Sequence, residues 1–426
     1  MSAPATPWLA RGDRAPLLAL VLLSLAVYAG IATVASRQAD LPLPALALYS
    51  DGFVYIEIAK SFPLPYAAEA EDYTGHAPGY PGVAWMLHRL LSLFGAGWGT
   101  ALLLASWIPA ALAAALFCLV CREAGIASRV GCLLGGLLFA FANPRWVSVA
   151  ATAHAEPVAM LLAVGMLLAA LRGRHGTAAI LLAGCVLTRF PSLLLGLPLA
   201  YWIFVARRDF RERTILMLSV PLFAFALFNL YLDLRIPDYV GLDEAHGIFW
   251  ELSVDWPFAA LAANAERWLW SRDYPIFEVT YASAAFYVLA FAIAIRPGER
   301  ERWVLAVWIA VLVLFHASLT GIQGVWDFAR LVVLAWPAAL LAVWRPLASR
   351  VPTIVTGAFC IGAAAFGIAF SLGQIEATVA MQTRGPAFQD LPAAISGIDR
   401  DEPRWLDLGP PEEEGESGEP GGSLPR

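Results

Sequence analysis

Apolar runs long enough to cross a bilayer recur along almost the whole chain, separated by short polar breaks. A spanning helix needs about 17–25 predominantly apolar residues, so this pattern predicts a polytopic membrane protein of the all-α class. About eleven crossings are expected, near residues 16–35, 80–120, 129–142, 151–171, 177–189, 191–206, 214–233, 281–296, 302–318, 328–344 and 352–372. A short helix around 80–94 precedes the full span in the second of these. Composition closes the alternatives. The AVILMFWYC class makes up 59% of the 426 residues and charged residues only 15%, against about 25% charged in soluble domains. Such a chain cannot cover a water-exposed surface, which excludes a soluble enzyme, and it is too apolar to be disordered as a whole.

Charge divides the chain into a body and a tail. Residues 399–426 hold nine acids and three bases, which accounts for the full net charge of -6. This Pro-, Gly-, Ser- and Glu-rich stretch cannot bury a core and is expected to be a disordered acidic tail, distinct from a membrane domain over 1–398. The body carries equal numbers of acids and bases and has no nucleic-acid footprint. Its charges are nevertheless sorted by side. With a cytoplasmic N-terminus, the short breaks on that side collect fifteen arginines. The two long outer loops, 36–79 and 234–280, hold five bases against fourteen acids. This follows the positive-inside rule and predicts a multi-pass protein of the cell (inner or plasma) membrane with both loops, and the tail, on the non-cytoplasmic side. A signal peptide is the rival reading of the first run, which is long for one. The five cysteines lie in or beside apolar runs without metal-ligand spacing, so packing is expected of them.

The first outer loop carries the densest polar pattern. It reads Leu48-Tyr-Ser-Asp-Gly-Phe-Val-Tyr-Ile-Glu-Ile-Ala-Lys, then His76-Ala-Pro-Gly-Tyr-Pro81 opening an apolar helix. Asp51, Tyr55, Ile58 and Ala59 fall at i, i+4, i+7 and i+8, on one face of a short amphipathic helix. Asp51 stands at its start, where a carboxylate serves either as an N-cap or as a catalytic group. Further along come His154-Ala-Glu-Pro157 and Leu187-Thr-Arg-Phe-Pro191, each at an outer helix end, and Arg330 just inside a later crossing. Ionisable residues in apolar sequence are functional candidates by default. For the arginines the alternative is snorkelling to the interface. For Glu156 and His154 it is helix capping or an ion pair with Arg145 or Arg189, for His76 solvation, and for His316 packing.

Ser-Asp-Gly-x-x-Tyr-x-x-Ile-Ala followed by a Pro-Gly-Tyr-Pro turn resembles the first outer loop of the GT-C glycosyltransferases, multi-pass enzymes that use polyprenyl-phosphate sugars. The likeness is nearest to the PIG-V-type mannosyltransferases and their bacterial relatives, although His76-Ala-Pro-Gly-Tyr-Pro81 replaces their Phe-Pro-Leu-Tyr-Pro. It covers residues 15–235 and the remainder in outline. The resemblance implies transfer of a hexose such as mannose from a polyprenyl-phosphate donor to an envelope glycan, lipid or protein acceptor. The reaction would take place on the non-cytoplasmic side, with Asp51 as the base of an inverting displacement. Arg189, Arg330 and His76 would meet the donor phosphate, and Tyr55, His154 and Glu156 would bind substrate. No cofactor is expected. Asp51, Glu57, Glu69, Glu71 and Asp72 match no metal-ligand spacing, and no metal is assigned. The other class considered is a transporter or lipid-handling membrane protein, which would set its ionisable groups near the bilayer midplane.

Overall fold

The computed structural model describes residues 11–48, 51–63, 76–236, 254–269, 275–295, 300–319 and 328–382. Contacts divide the chain into a unit of residues 1–378 and a second of 379–426. The acidic tail expected at 399–426 lies outside the described residues, as do 64–75 of the first loop and 237–253 of the second. Among the described residues the chain is helical, apart from one isolated bridge between Val254 and Leu319.

The helices are α1 (Arg11–Gln38), α2 (Gly52–Lys60), α3 (Gly79–Leu91), α4 (Trp98–Glu123), α5 (Arg129–Phe141), α6 (Pro144–Ala151), α7 (Glu156–Leu171), α8 (His175–Val186), α9 (Gly196–Tyr201) and α10 (Glu212–Arg235). Then come α11 (Ala259–Leu269), α12 (Pro275–Ala294), α13 (Arg300–Ala317), α14 (Phe328–Leu331), α15 (Trp336–Arg350) and α16 (Thr353–Gln382). Among the described residues five helical segments are long and apolar enough to cross a membrane: Arg14–Gln38, Trp98–Glu123, Thr214–Arg235, Phe328–Arg350 and Thr353–Glu376. The protein is a multi-pass membrane protein. α4 and Phe328–Arg350 are mostly buried, whereas α1, α10 and α16 leave large apolar side chains such as Leu222, Phe223, Leu227, Ile354 and Phe359 exposed, as a lipid-facing surface requires.

Three sequence-predicted crossings are more broken than their apolar continuity implies. The run at 129–142 stops at Phe141, and the chain turns by 69° into α6 before α7 begins. Asn143 causes the break: its side chain accepts hydrogen bonds from the amides of Arg145 and Trp146, and Pro144 occupies the first helical position. The run at 191–206 is a 3-10 turn (Phe190–Leu195), α9 and a π turn (Trp202–Ala206) in succession, where Pro191 and Pro198 remove backbone donors. The run at 328–344 contains a 3-10 turn, Val332–Ala335, between α14 and α15. These interruptions place irregular backbone beside the polar residues described next.

α4 packs most extensively on α7, α7 on α8, and α8 on α10. The α7–α8 hairpin therefore has one end at Glu156 and Val186 and the other at Leu171 and His175.

Candidate functional site

Close backbone contacts bring the separate sequence motifs together. Asp51 precedes α2, which abuts the buried 3-10 turn Leu43–Leu48. A Cβ on Gly52 would lie 1.7 Å from the carbonyl oxygen of Ala47, so only glycine permits this approach. The turn that opens α3 docks on the turn that closes α8. The Gly79 amide donates to the Leu187 carbonyl at 2.7 Å, and a Cβ on Gly79 would meet the Thr188 hydroxyl at 2.4 Å. His76 and Arg189 flank this junction three and two residues away from the bonded pair.

Four charged side chains from four elements form one cluster. Arg330, in α14, donates from Nη2 to Asp51 Oδ2 at 2.5 Å and from Nε to Glu156 Oε1 at 2.7 Å. Arg189 Nη1 donates to the same Glu156 oxygen at 2.8 Å. The Tyr55 hydroxyl donates to Asp51 Oδ2 at 3.4 Å, and His76 Nε2 lies 3.7 Å from Oδ1. The Tyr55 ring packs edge-on against His76 and Tyr80, with centroids 5.5 and 4.8 Å away. Glu156 is almost fully buried, and its Oε2 makes no hydrogen bond.

Each sequence-predicted site residue thus lands in or beside one cluster. Asp51 occupies the N-cap position of α2, but its side chain makes no capping bond and is committed to Arg330. The capping alternative is therefore not realised. Neither arginine snorkels, since both are engaged by buried carboxylates. The ion-pair alternative for Glu156 is realised with Arg189, with Arg330 added on the same oxygen. His154 lies next to Glu156 rather than on Asp51. Its Nδ1 is 2.8 Å from the Thr152 hydroxyl, and its backbone amide and carbonyl both meet the Ser106 hydroxyl at 3.1 Å. His316 packs as expected, buried and bonded through Nδ1 to the Leu312 carbonyl.

Tyr80 and Ser106 are additions that sequence reasoning did not assign. The Tyr80 hydroxyl donates to the Leu102 carbonyl at 2.9 Å and lies 3.1 Å from Ser106 Oγ, which fixes the ring behind Tyr55. Tyr80 was visible in the Pro-Gly-Tyr-Pro turn. Ser106 was silent, one hydroxyl in a long apolar helix.

Electrostatics follow from this geometry. Burial raises the Asp51 pKa, but the Arg330 guanidinium and then His76 outweigh it and hold the carboxyl well below its ordinary value. Two carboxylates and two guanidiniums leave the cluster balanced and desolvated. An incoming anion finds two fork-shaped donors already held in place. Among the described residues no group of three or more His, Cys, Asp or Glu is placed to hold a metal ion, and Glu69, Glu71 and Asp72 fall outside them.

No protein-family model and no curated protein matches the sequence. Solved structures do match. ArnT from Cupriavidus metallidurans bound to undecaprenyl phosphate is 16% identical, with a TM-score of 0.50 over 90% of this chain and 77% of its own, and its apo state gives the same values. The Archaeoglobus fulgidus oligosaccharyltransferase in complex with Zn and sulfate is 12% identical, with a TM-score of 0.50 over 84% of this chain. The chain shares the membrane fold of ArnT. It spans about half the length of the oligosaccharyltransferase, 53% of that chain. Short helices precede the long buried α4 here, at Leu43–Leu48, Gly52–Lys60 and Gly79–Leu91.

Proposed function

We propose that the protein is an integral membrane glycosyltransferase that moves a hexose, mannose being the first candidate, from a polyprenyl phosphate to an envelope glycan, lipid or protein acceptor. The observation that carries the reading is the run of ion pairs Asp51–Arg330–Glu156–Arg189, drawn from positions as far apart as 51 and 330. The undecaprenyl phosphate held by ArnT supports a lipid-phosphate donor for the same fold. Charge sorting along the sequence supports a cytoplasmic N-terminus and a site on the other face of the cell membrane.

In this reading the acceptor hydroxyl attacks the anomeric carbon while the bond from that carbon to the phosphate oxygen breaks. The hydroxyl proton passes to Asp51 and the bonding pair leaves on the phosphate of the lipid. A carboxylate locked to a guanidinium is a weak base. Donor phosphate competing for Nη2 of Arg330 loosens that pair, raises the basicity of Asp51, and prepares it for the acceptor. Arg330 keeps its place during this exchange because Nε remains on Glu156. Arg189 supplies the second fork for the phosphate, and His76 stands beside Asp51 to meet it. The Tyr55 hydroxyl suits a sugar hydroxyl, and Glu156, whose Oε2 makes no hydrogen bond, would take one once the cluster loosens. Arg330, once released from Asp51, and Arg189 would take the place of a divalent cation at the leaving group, and no metal is assigned.

The reading is tested with purified full-length protein in proteoliposomes, supplied with a panel of labelled polyprenyl-phosphate hexoses and an envelope extract as acceptor. Label is expected to leave the lipid for one of the sugars and to continue doing so in EDTA. Absence of transfer across the panel contradicts the glycosyltransferase reading. Loss in EDTA with recovery on one added metal contradicts the metal-free step.

A further inference from the structure

At the end of the α7–α8 hairpin away from Asp51 the chain builds a second polar site. The sixteen residues of α7 rise about 24 Å at 1.5 Å each, so the two sites are nearly a bilayer's hydrocarbon thickness apart. A cleft of about 510 Å³ opens there, with Arg172, His175, Arg207, Arg208 and Asp209 in its lining.

The groups in this cleft are held in place. Arg172 Nε is fixed by Glu123 at 2.8 Å. Arg211 closes on Asp209 through two bonds, 2.8 Å to Oδ1 and 2.5 Å to Oδ2, which neutralises the acid of the lining. Arg207 stacks its guanidinium over Trp202, 4.4 Å from the ring centroid. Arg208 adopts a left-handed backbone with φ 52°, a conformation uncommon outside glycine, and it is exposed. Both arginines follow directly on the π turn Trp202–Ala206, a backbone irregularity that recurs at functional sites. His175 is nine-tenths buried, lines the cleft, and has no hydrogen-bond partner for Nδ1. It also opens α8, whose N-cap residue Arg174 provides no side-chain cap, so the positive end of that helix faces this region.

Ordinary sorting of positive charge explains arginines on this face but not a cleft of this size, a strained Arg208 and a largely covered imidazole with an unused nitrogen. We propose that the cleft binds the phosphate of an anionic phospholipid headgroup, at the membrane face opposite the transfer site. Exposed apolar side chains on α8, on the π turn and at the start of α10, Ile180, Val205 and Leu216, offer the acyl chains a surface, which a free phosphate would not use.

Full-length protein in neutral detergent is titrated with phosphatidylglycerol, with phosphatidylcholine of the same chains, and with inorganic phosphate, reading lipid retained in native mass spectra and the melting temperature. Phosphatidylglycerol alone is expected to bind. The double variant Arg207→Ala/Arg208→Ala is expected to weaken it about thirtyfold, roughly fivefold for each arginine near a headgroup. Arg208→Gln, which alters one exposed side chain, should weaken it about fivefold and covers a folding failure of the double variant. Arg122→Ala/Arg129→Ala removes the same charge outside the cleft and should leave binding unchanged. Equal loss in both double variants overturns the proposal. Inorganic phosphate binding as tightly as the lipid overturns the headgroup assignment. Neither readout depends on sugar transfer, so failure here is separable from failure of the proposed function.

Discussion

Glu156 joins the cluster through a single oxygen that serves both Arg189 and Arg330. Removing a buried carboxylate strands its cationic partners, a loss of about 3–5 kcal/mol. Glu156→Ala should therefore lower the melting temperature of the detergent-solubilised protein sharply, and Glu156→Gln, which keeps volume and one acceptor, should cost less. An unchanged melting point for Glu156→Ala would show that the arginines are held by something else. Asp51, Arg189, Glu156 and Arg330 could be picked out from sequence because charge in apolar surroundings is costly and conspicuous. Their pairing could not, since Asp51 and Arg330 are separated by most of the chain, and a hydroxyl such as Ser106 costs too little in a helix to stand out.

At the scale of elements, the position of Asp51 depends on how closely α2 approaches the turn before it. Gly52→Ala drives a methyl into the Ala47 carbonyl, an overpacking strain of about 1–3 kcal/mol that shifts the start of α2. The expected outcome is a lower melting temperature together with reduced transfer. Gly30→Ala in α1, where an added methyl meets nothing within 4 Å, should be neutral or slightly stabilising. Equal behaviour of the two variants would argue against the close approach at Gly52. Apolar runs reveal which stretches are helical and roughly where they end, but they do not reveal bends. Asn143-Pro144 lies between two apolar stretches, and only the cap on α6 shows that the chain turns there. The docking of the His76 turn on the Arg189 turn is likewise a backbone contact, carried by Gly79 and Leu187, which no periodicity encodes.

Over the whole molecule, ionisable groups gather at the ends of helices rather than midway along them. Glu156 opens α7, Arg189 follows α8, Arg330 lies in the first turn of its segment and Asp51 precedes α2. That distribution suits a surface reaction on a lipid headgroup and not a path through the midplane. The arginine cleft at the far end of the α7–α8 hairpin belongs to the opposite set of helix ends, in line with the sidedness visible in the sequence. The measurement that tests the central claim most directly compares wild-type and Asp51→Asn protein, at matched membrane levels and melting temperatures, for release of polyprenyl phosphate from the labelled donor with acceptor present. The amide keeps the size and the contact to Tyr55 but cannot take the acceptor proton, so a loss of about 10²–10⁴-fold in rate is predicted. Release by Asp51→Asn at the wild-type rate would contradict the account.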